Sequence, residues 1–258
     1  MHWFDLREPV NAWSHGAGMM LALPLTWMLW KRCATLDECK HLELEDWRGL
    51  TRYQRSKALG LLVFGTSLTL CYGVSAAFHA VQHRGELVGW LQRLDHVGIY
   101  CLIAGTYTPV AVALMRGAWS WGTLVTIWTV ALLCASRVWY GGVLPVWAST
   151  LVYLTMGWGA VLCYCELARG YSHRTLLPLP AGGILYSIGA LINLAQWPVL
   201  SPGYFGSHEL FHFFVIAGSA CHIFFMLKVV VPAVEPTRLP AARAPLCSSA
   251  PASGITAA

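Results

Sequence analysis

The sequence predicts an all-α fold: a polytopic membrane protein built as one bundle of seven transmembrane helices. Three observations carry this. The 258-residue chain is 57% hydrophobic and 11% charged, where a soluble domain carries about 25% charged residues. Its charges are clustered, leaving seven windows without Asp, Glu, Lys or Arg: Pro9–Trp30, Ala58–His83, His96–Met115, Gly117–Ser136, Val138–Cys165, Thr175–His208 and Leu210–Leu227. Each approaches or exceeds the roughly 20 apolar residues that cross a bilayer as a helix. The apolar runs are also continuous, whereas the strands of a membrane barrel alternate over about 10 residues.

The elements follow in order. Span one, 12–31, opens with the polar residues Asn11, Ser14 and His15. It lacks a basic n-region and an A-x-A site, so it reads as a span and not as a cleaved signal. A charged loop, 32–57, follows; the stretch KRCATLDECKHLELEDWRGLTRYQRSK around it holds seven basic and five acidic residues, and part of it is expected to lie as a surface helix. Spans two to five are expected at 58–81, 95–115, 118–138 and 146–168. The sixth window is too long for one helix; it divides into span six, 176–197, and the Pro/Gly-rich loop QWPVLSPGYFGSH. Span seven is expected at 208–231. The seven-helix domain thus covers 1–232, and the Ala-, Pro- and Ser-rich tail, 233–258, is expected to be disordered. Trp13, Trp30, Trp90, Trp119, Trp121 and Trp197 fall near span ends, where amphipathic rings prefer to sit.

Nine cysteines, an odd number without a C-x-x-C pair, read as packing thiols. The net charge of +5 suits anionic lipid. No basic patch interleaved with aromatics points to nucleic acid, and protein partners are not legible. Lys and Arg number 13 on one side of the predicted topology and 4 on the other. That bias puts the N-terminus outside and the C-terminus in the cytoplasm; the chain itself is expected in a cell membrane, with a bacterial inner membrane as the expected one.

Ionisable groups inside spans are expensive and therefore informative. The candidates are His15, His79, Asp95, His96, His208, Glu209, His212 and His222. Odd spans start, and even spans end, on the N-terminal side of the membrane. His15, His79, Asp95, His208 and His212 therefore share one level. His79, His208 and His212 supply three imidazoles, and Zn²⁺ commonly takes three protein ligands and a water in a reactive site. Asp95 can accept a proton from such a water. Ser75, one turn before His79, can hydrogen-bond the water, Asp95 or a substrate oxyanion. A lone histidine in a span is more often an interhelical hydrogen-bonder, and that is the reading for His96 and for His222. His222 is 14 residues beyond His208, about 21 Å along the axis.

The stretch HELFH, residues 208–212, also reads as H-E-x-x-H, in which the Glu would be a protease's general base. Glu209 lies about 100° around the helix from His208 and can face a neighbour or the interface instead. The only Asp at this level sits in LDH on an earlier helix, and His79 competes as a third ligand. Both weigh against a protease.

Four stretches, NAWSHGAG at 11–18, SAAFH at 75–79, RLDHVGIYCLIAGTYTPV at 93–110 and GSHELFHFFVIAGSACH at 206–222, resemble the hemolysin III branch of the progestin and adipoQ receptor (PAQR) family. The resemblance implies a seven-helix fold with zinc held by His79, His208 and His212, Asp95 acting through water and Ser75 close by. It is similar in arrangement to alkaline ceramidases, which hydrolyse a lipid amide, and to adiponectin receptors. The functions it leaves open are a zinc-dependent hydrolase of a lipid amide or ester, a receptor or sensor with structural zinc, a membrane-permeabilising hemolysin-like factor, and an intramembrane metalloprotease. The long charged loop departs from the family, and the charge bias puts the site on the outer face, opposite to adiponectin receptors.

Overall fold

The computed structural model describes residues 6–35, 50–82 and 85–235. These form helices: α1 (Pro9–Thr35), α2 (Arg52–Ala80), α3 (Glu86–Leu114), α4 (Gly117–Gly141), α5 (Val146–Trp158), α6 (Ala160–Leu167), α7 (His173–Leu176), α8 (Pro178–Ala195) and α9 (Ser207–Phe225). A π turn, Met226–Val230, ends the last of them. Most of the charged loop, 36–49, and the tail from 236 lie outside the described residues.

Six segments are long and apolar enough to cross a membrane: Arg52–Ala80, Glu86–Leu114, Gly117–Gly141, Val146–Leu167, His173–Ala195 and Ser207–Val230. The 27 residues of α1 give it a length of about 40 Å, enough to span. It is not among these six: it opens with Asn11, Ser14 and His15 and closes near Lys31 and Arg32. The segment Val146–Leu167, expected as one helix, is two, since a turn at Gly159 separates α5 from α6. The segment His173–Ala195 is likewise broken at Leu177, just before Pro178, whose ring cannot continue the preceding helix.

Helix α2 begins six residues earlier than the apolar pattern suggests. Thr51 caps it: its hydroxyl accepts from the Gln54 amide at 3.2 Å, and the Gln54 side chain accepts from the Thr51 amide at 2.7 Å. This draws Lys57, expected in the loop, into the buried face. Its Nζ donates to the carbonyls of Val231 (3.0 Å) and Ala233 (2.8 Å), so a cation satisfies the exposed carbonyl end of the last helix.

Neighbouring helices approach closely where side chains are missing. A Cβ on Gly65 would overlap Thr26 of α1, and one on Gly105 would overlap the Ser67 hydroxyl of α2. Small residues let membrane helices pack backbone to backbone in this way. Helix α1 packs on both α2 and α9, and α8 lies along α9. That arrangement brings the end of α2 and the start of α9 to the same place, with α1 against both.

Candidate metal centre

The C-terminal turn of α2 carries His79, and the first two turns of α9 carry His208 and His212. One ring nitrogen from each lies within 4.8 Å of the other two. His79 and His212 are buried, and His208 is partly so. The Nε2 atoms of His79 and His208 are 3.5 Å apart.

The opposite ring nitrogens show which atoms face inward. His79 Nδ1 is 2.6 Å from Glu8 Oε2. His208 Nδ1 is 3.0 Å from Asn193 Oδ1. His212 Nδ1 is 3.4 Å from Ser14 Oγ, a longer contact. Ser14 already donates its proton to the Asn11 carbonyl. Each of these oxygens can accept, so all three contacts suit the tautomer that carries its proton on Nδ1 and turns the Nε2 lone pair inward. Two such lone pairs 3.5 Å apart repel unless a cation lies between them. Ligands on a tetrahedral shell of about 2.1 Å radius are roughly 3.4 Å apart. The donor set thus fits a metal ion that takes three imidazoles.

Glu8 immediately precedes α1. Its hydrogen bond with His79 holds its carboxyl down at about 2, against the opposing effect of burial. Around it, Arg7 donates to the Phe78 carbonyl (2.7 Å) and pairs with Glu8 (3.2 Å), and the Glu8 amide donates to the His79 carbonyl (3.0 Å).

Asp95 lies on α3 near the triad, and Ser75 is buried on α2. Both line a cavity of about 1110 Å³ together with His15, His208, His212 and His222. Elsewhere its walls are largely apolar, including Ile99, Leu102, Leu154 and Leu179. His15 stacks on His212 with ring centroids 3.7 Å apart.

Three expectations need correction. Among the described residues His96 makes no interhelical hydrogen bond: its Nδ1 meets the Gln92 carbonyl of its own helix at 2.9 Å, and the ring lines the cavity beside Asp95. A helix interior offers the i−4 carbonyl to any ring that folds back along its own axis. His222 is buried but has no hydrogen-bond partner among the described residues; its ring stacks on Tyr186 at 5.5 Å. The nearby hydroxyls are already committed, since Tyr72 and Tyr186 both bond Ser219. Cys165 is exposed, unlike buried Cys163 two residues before it, because the two side chains point to different faces of α6.

Glu209 settles on its own helix and on α1. One oxygen accepts from the Gly206 amide at 2.8 Å and the other from Asn11 Nδ2 at 2.8 Å. Both oxygens are thus engaged, although Glu209 also lines the cavity. Sequence reasoning missed Glu8, Asn11, Ser14 and Asn193. The polar run from Arg7 to His15, at the foot of an otherwise apolar span, was the available signal.

Residues 5–223 match the haemolysin-III related family. Hemolysin-3 of Bacillus cereus is 32% identical over 237 residues, covering 89% of this chain and 94% of that protein. The Hemolysin-3 homolog of Bacillus subtilis (strain 168) is 30% identical over 239 residues, covering 88% and 98%. With its membrane helices, its histidine triad and a match that runs through both, the chain belongs to the haemolysin-III related family, a branch of the PAQR family.

Proposed function

We propose that the protein is a seven-span zinc-dependent hydrolase of a lipid amide or ester, with α1 as the seventh span. The metal ligands are His79, His208 and His212; Asp95 is the general base and Ser75 its partner. One observation carries the reading: Asp95 and Ser75 open onto the same largely apolar cavity as His208 and His212. A structural metal needs no carboxylate facing a hollow lined for an acyl chain.

Bound to three imidazoles, zinc supplies Lewis acidity toward a carbonyl oxygen and makes water more acidic. Asp95 takes the proton from the attacking water and returns it to the departing amine or alcohol. Ser75, which lines the same cavity as Asp95, orients the Asp95 carboxylate or the attacking water. The apolar walls hold the acyl chain and keep bulk water from the reacting carbonyl. Membrane lipid is thus both solvent and substrate. The Lys/Arg bias favours an outer-face site, with the N-terminus outside and the C-terminus in the cytoplasm. Glu209, with both oxygens engaged, is poorly placed to be a protease's base, which disfavours that reading.

The test is incubation of zinc-loaded protein in detergent with N-acyl amide and acyl ester lipids, reading fatty-acid release by mass spectrometry. Release that stops in Asp95→Asn supports the proposal; no release from any lipid class favours a receptor or sensor with structural zinc. The name of the two relatives supports a further reading, membrane permeabilisation. Dye release from liposomes by purified protein at low dose tests it.

A further inference from the structure

We propose that the residues just before and at the start of α1, Arg7 to Asn11, form a strap that completes the metal centre, with Glu8 as the positioning residue for His79. This rests on the reading that the triad holds zinc.

The geometry is specific. Glu8 grips the end of α2 twice. Its amide donates to the His79 carbonyl at 3.0 Å, and its carboxylate meets His79 Nδ1 at 2.6 Å. Backbone and side chain of one residue thus fix both the position and the ring rotation of one ligand. Arg7 adds a bond to the Phe78 carbonyl, and its guanidinium lies 4.3 Å over the Phe78 ring. Asn11 then joins the strap to the other half of the site. Its Nδ2 donates to Glu8 Oε2 (3.1 Å) and to Glu209 Oε1 (2.8 Å), next to His208 in sequence. A chain of polar contacts therefore runs from the α2 ligand to the α9 ligands through a segment that contributes no ligand itself.

Carboxylates that accept from the distal N–H of a ligating imidazole fix its tautomer and raise its basicity. Among the described residues, Glu8 is the only carboxylate hydrogen-bonded to a ring nitrogen of the triad. His208 and His212 are held by neutral groups. The charged partner belongs to His79, the one ligand that must be brought from another helix. Glu209, the acidic residue of the H-E-x-x-H stretch, then serves as the strap's anchor on α9 and not as a base.

The test is zinc affinity, measured by competition with a chromogenic chelator on full-length protein in detergent, alongside thermal melting of the zinc-free form. Glu8→Gln keeps the shape and removes the charge. Loss of such partners typically lowers metal affinity by about 10- to 100-fold. Glu8→Gln and Glu8→Ala are expected to fall in that range, Glu8→Asp to recover part of the loss, and Glu86→Gln, an exposed carboxylate on α3, to match wild type. A wild-type affinity in both Glu8→Gln and Glu8→Ala overturns the proposal, as does an equal drop in Glu86→Gln. Should Glu8→Ala fail to fold, Glu8→Gln decides. A wild-type chain that binds no zinc overturns the underlying reading as well, which separates the two failures.

Discussion

His79 Nε2 and His208 Nε2 face each other across 3.5 Å, although 129 residues separate them in the chain. Each is turned inward by a bond on its far side, to Glu8 and to Asn193. The fold thus directs two ring nitrogens at one point, the arrangement that a cation bound by both needs.

Replacing Asp95 with Asn should leave zinc bound while lipid turnover falls by about 10²- to 10⁴-fold, the usual contribution of a general base. Metal analysis and fatty-acid release on one preparation check both halves. Turnover equal to wild type would remove Asp95 from the mechanism.

Removing a ligand should act on stability as well as on metal. A ligand present at 100 times its dissociation constant stabilises a fold by about 2.7 kcal/mol. Chelator treatment of wild type should therefore lower the melting temperature, and His79→Ala should melt low with or without zinc. A wild-type melting curve that ignores the chelator would deny that the metal ties α2 to α9.

Lys57 gives a contrast far from the centre. Lys57→Met removes the Nζ donor from the carbonyls of Val231 and Ala233, of which Ala233 keeps the Tyr53 hydroxyl at 3.2 Å. The expected loss is about 1–3 kcal/mol of stability, with zinc content unchanged. A change in zinc content would show that the two ends of the bundle are coupled.

Gly105 tests the helix packing. Gly105→Val places a side chain against the Ser67 hydroxyl, and overpacking of this kind costs about 1–3 kcal/mol. Thermal melting in detergent reads it; an unchanged melting temperature would mean that α2 and α3 are not held as closely as the structure has them.

What could be read from the sequence follows the physics of each element. Helices α2 to α4 and α9 announce themselves as charge-free runs, because the bilayer forbids anything else. The broken fifth and sixth spans do not, since Gly159 and Pro178 sit in apolar surroundings that hydropathy cannot resolve. His79, Asp95, His208 and His212 can be placed at one depth by counting spans. Their partners cannot: Glu8 meets His79 only because α1 packs on both α2 and α9, and Asn193 reaches His208 only because α8 lies along α9. Lys57 looks like loop charge until the Thr51 cap extends α2 around it.

The central claim is that His79, His208 and His212 hold one zinc ion. The most direct measurement is metal analysis of full-length protein purified without chelator or acid, in wild type, His79→Ala and His212→Ala. One zinc per wild-type chain and little in either variant is the expected result; a zinc-free wild type, or zinc retained equally in both variants, rules the shared site out.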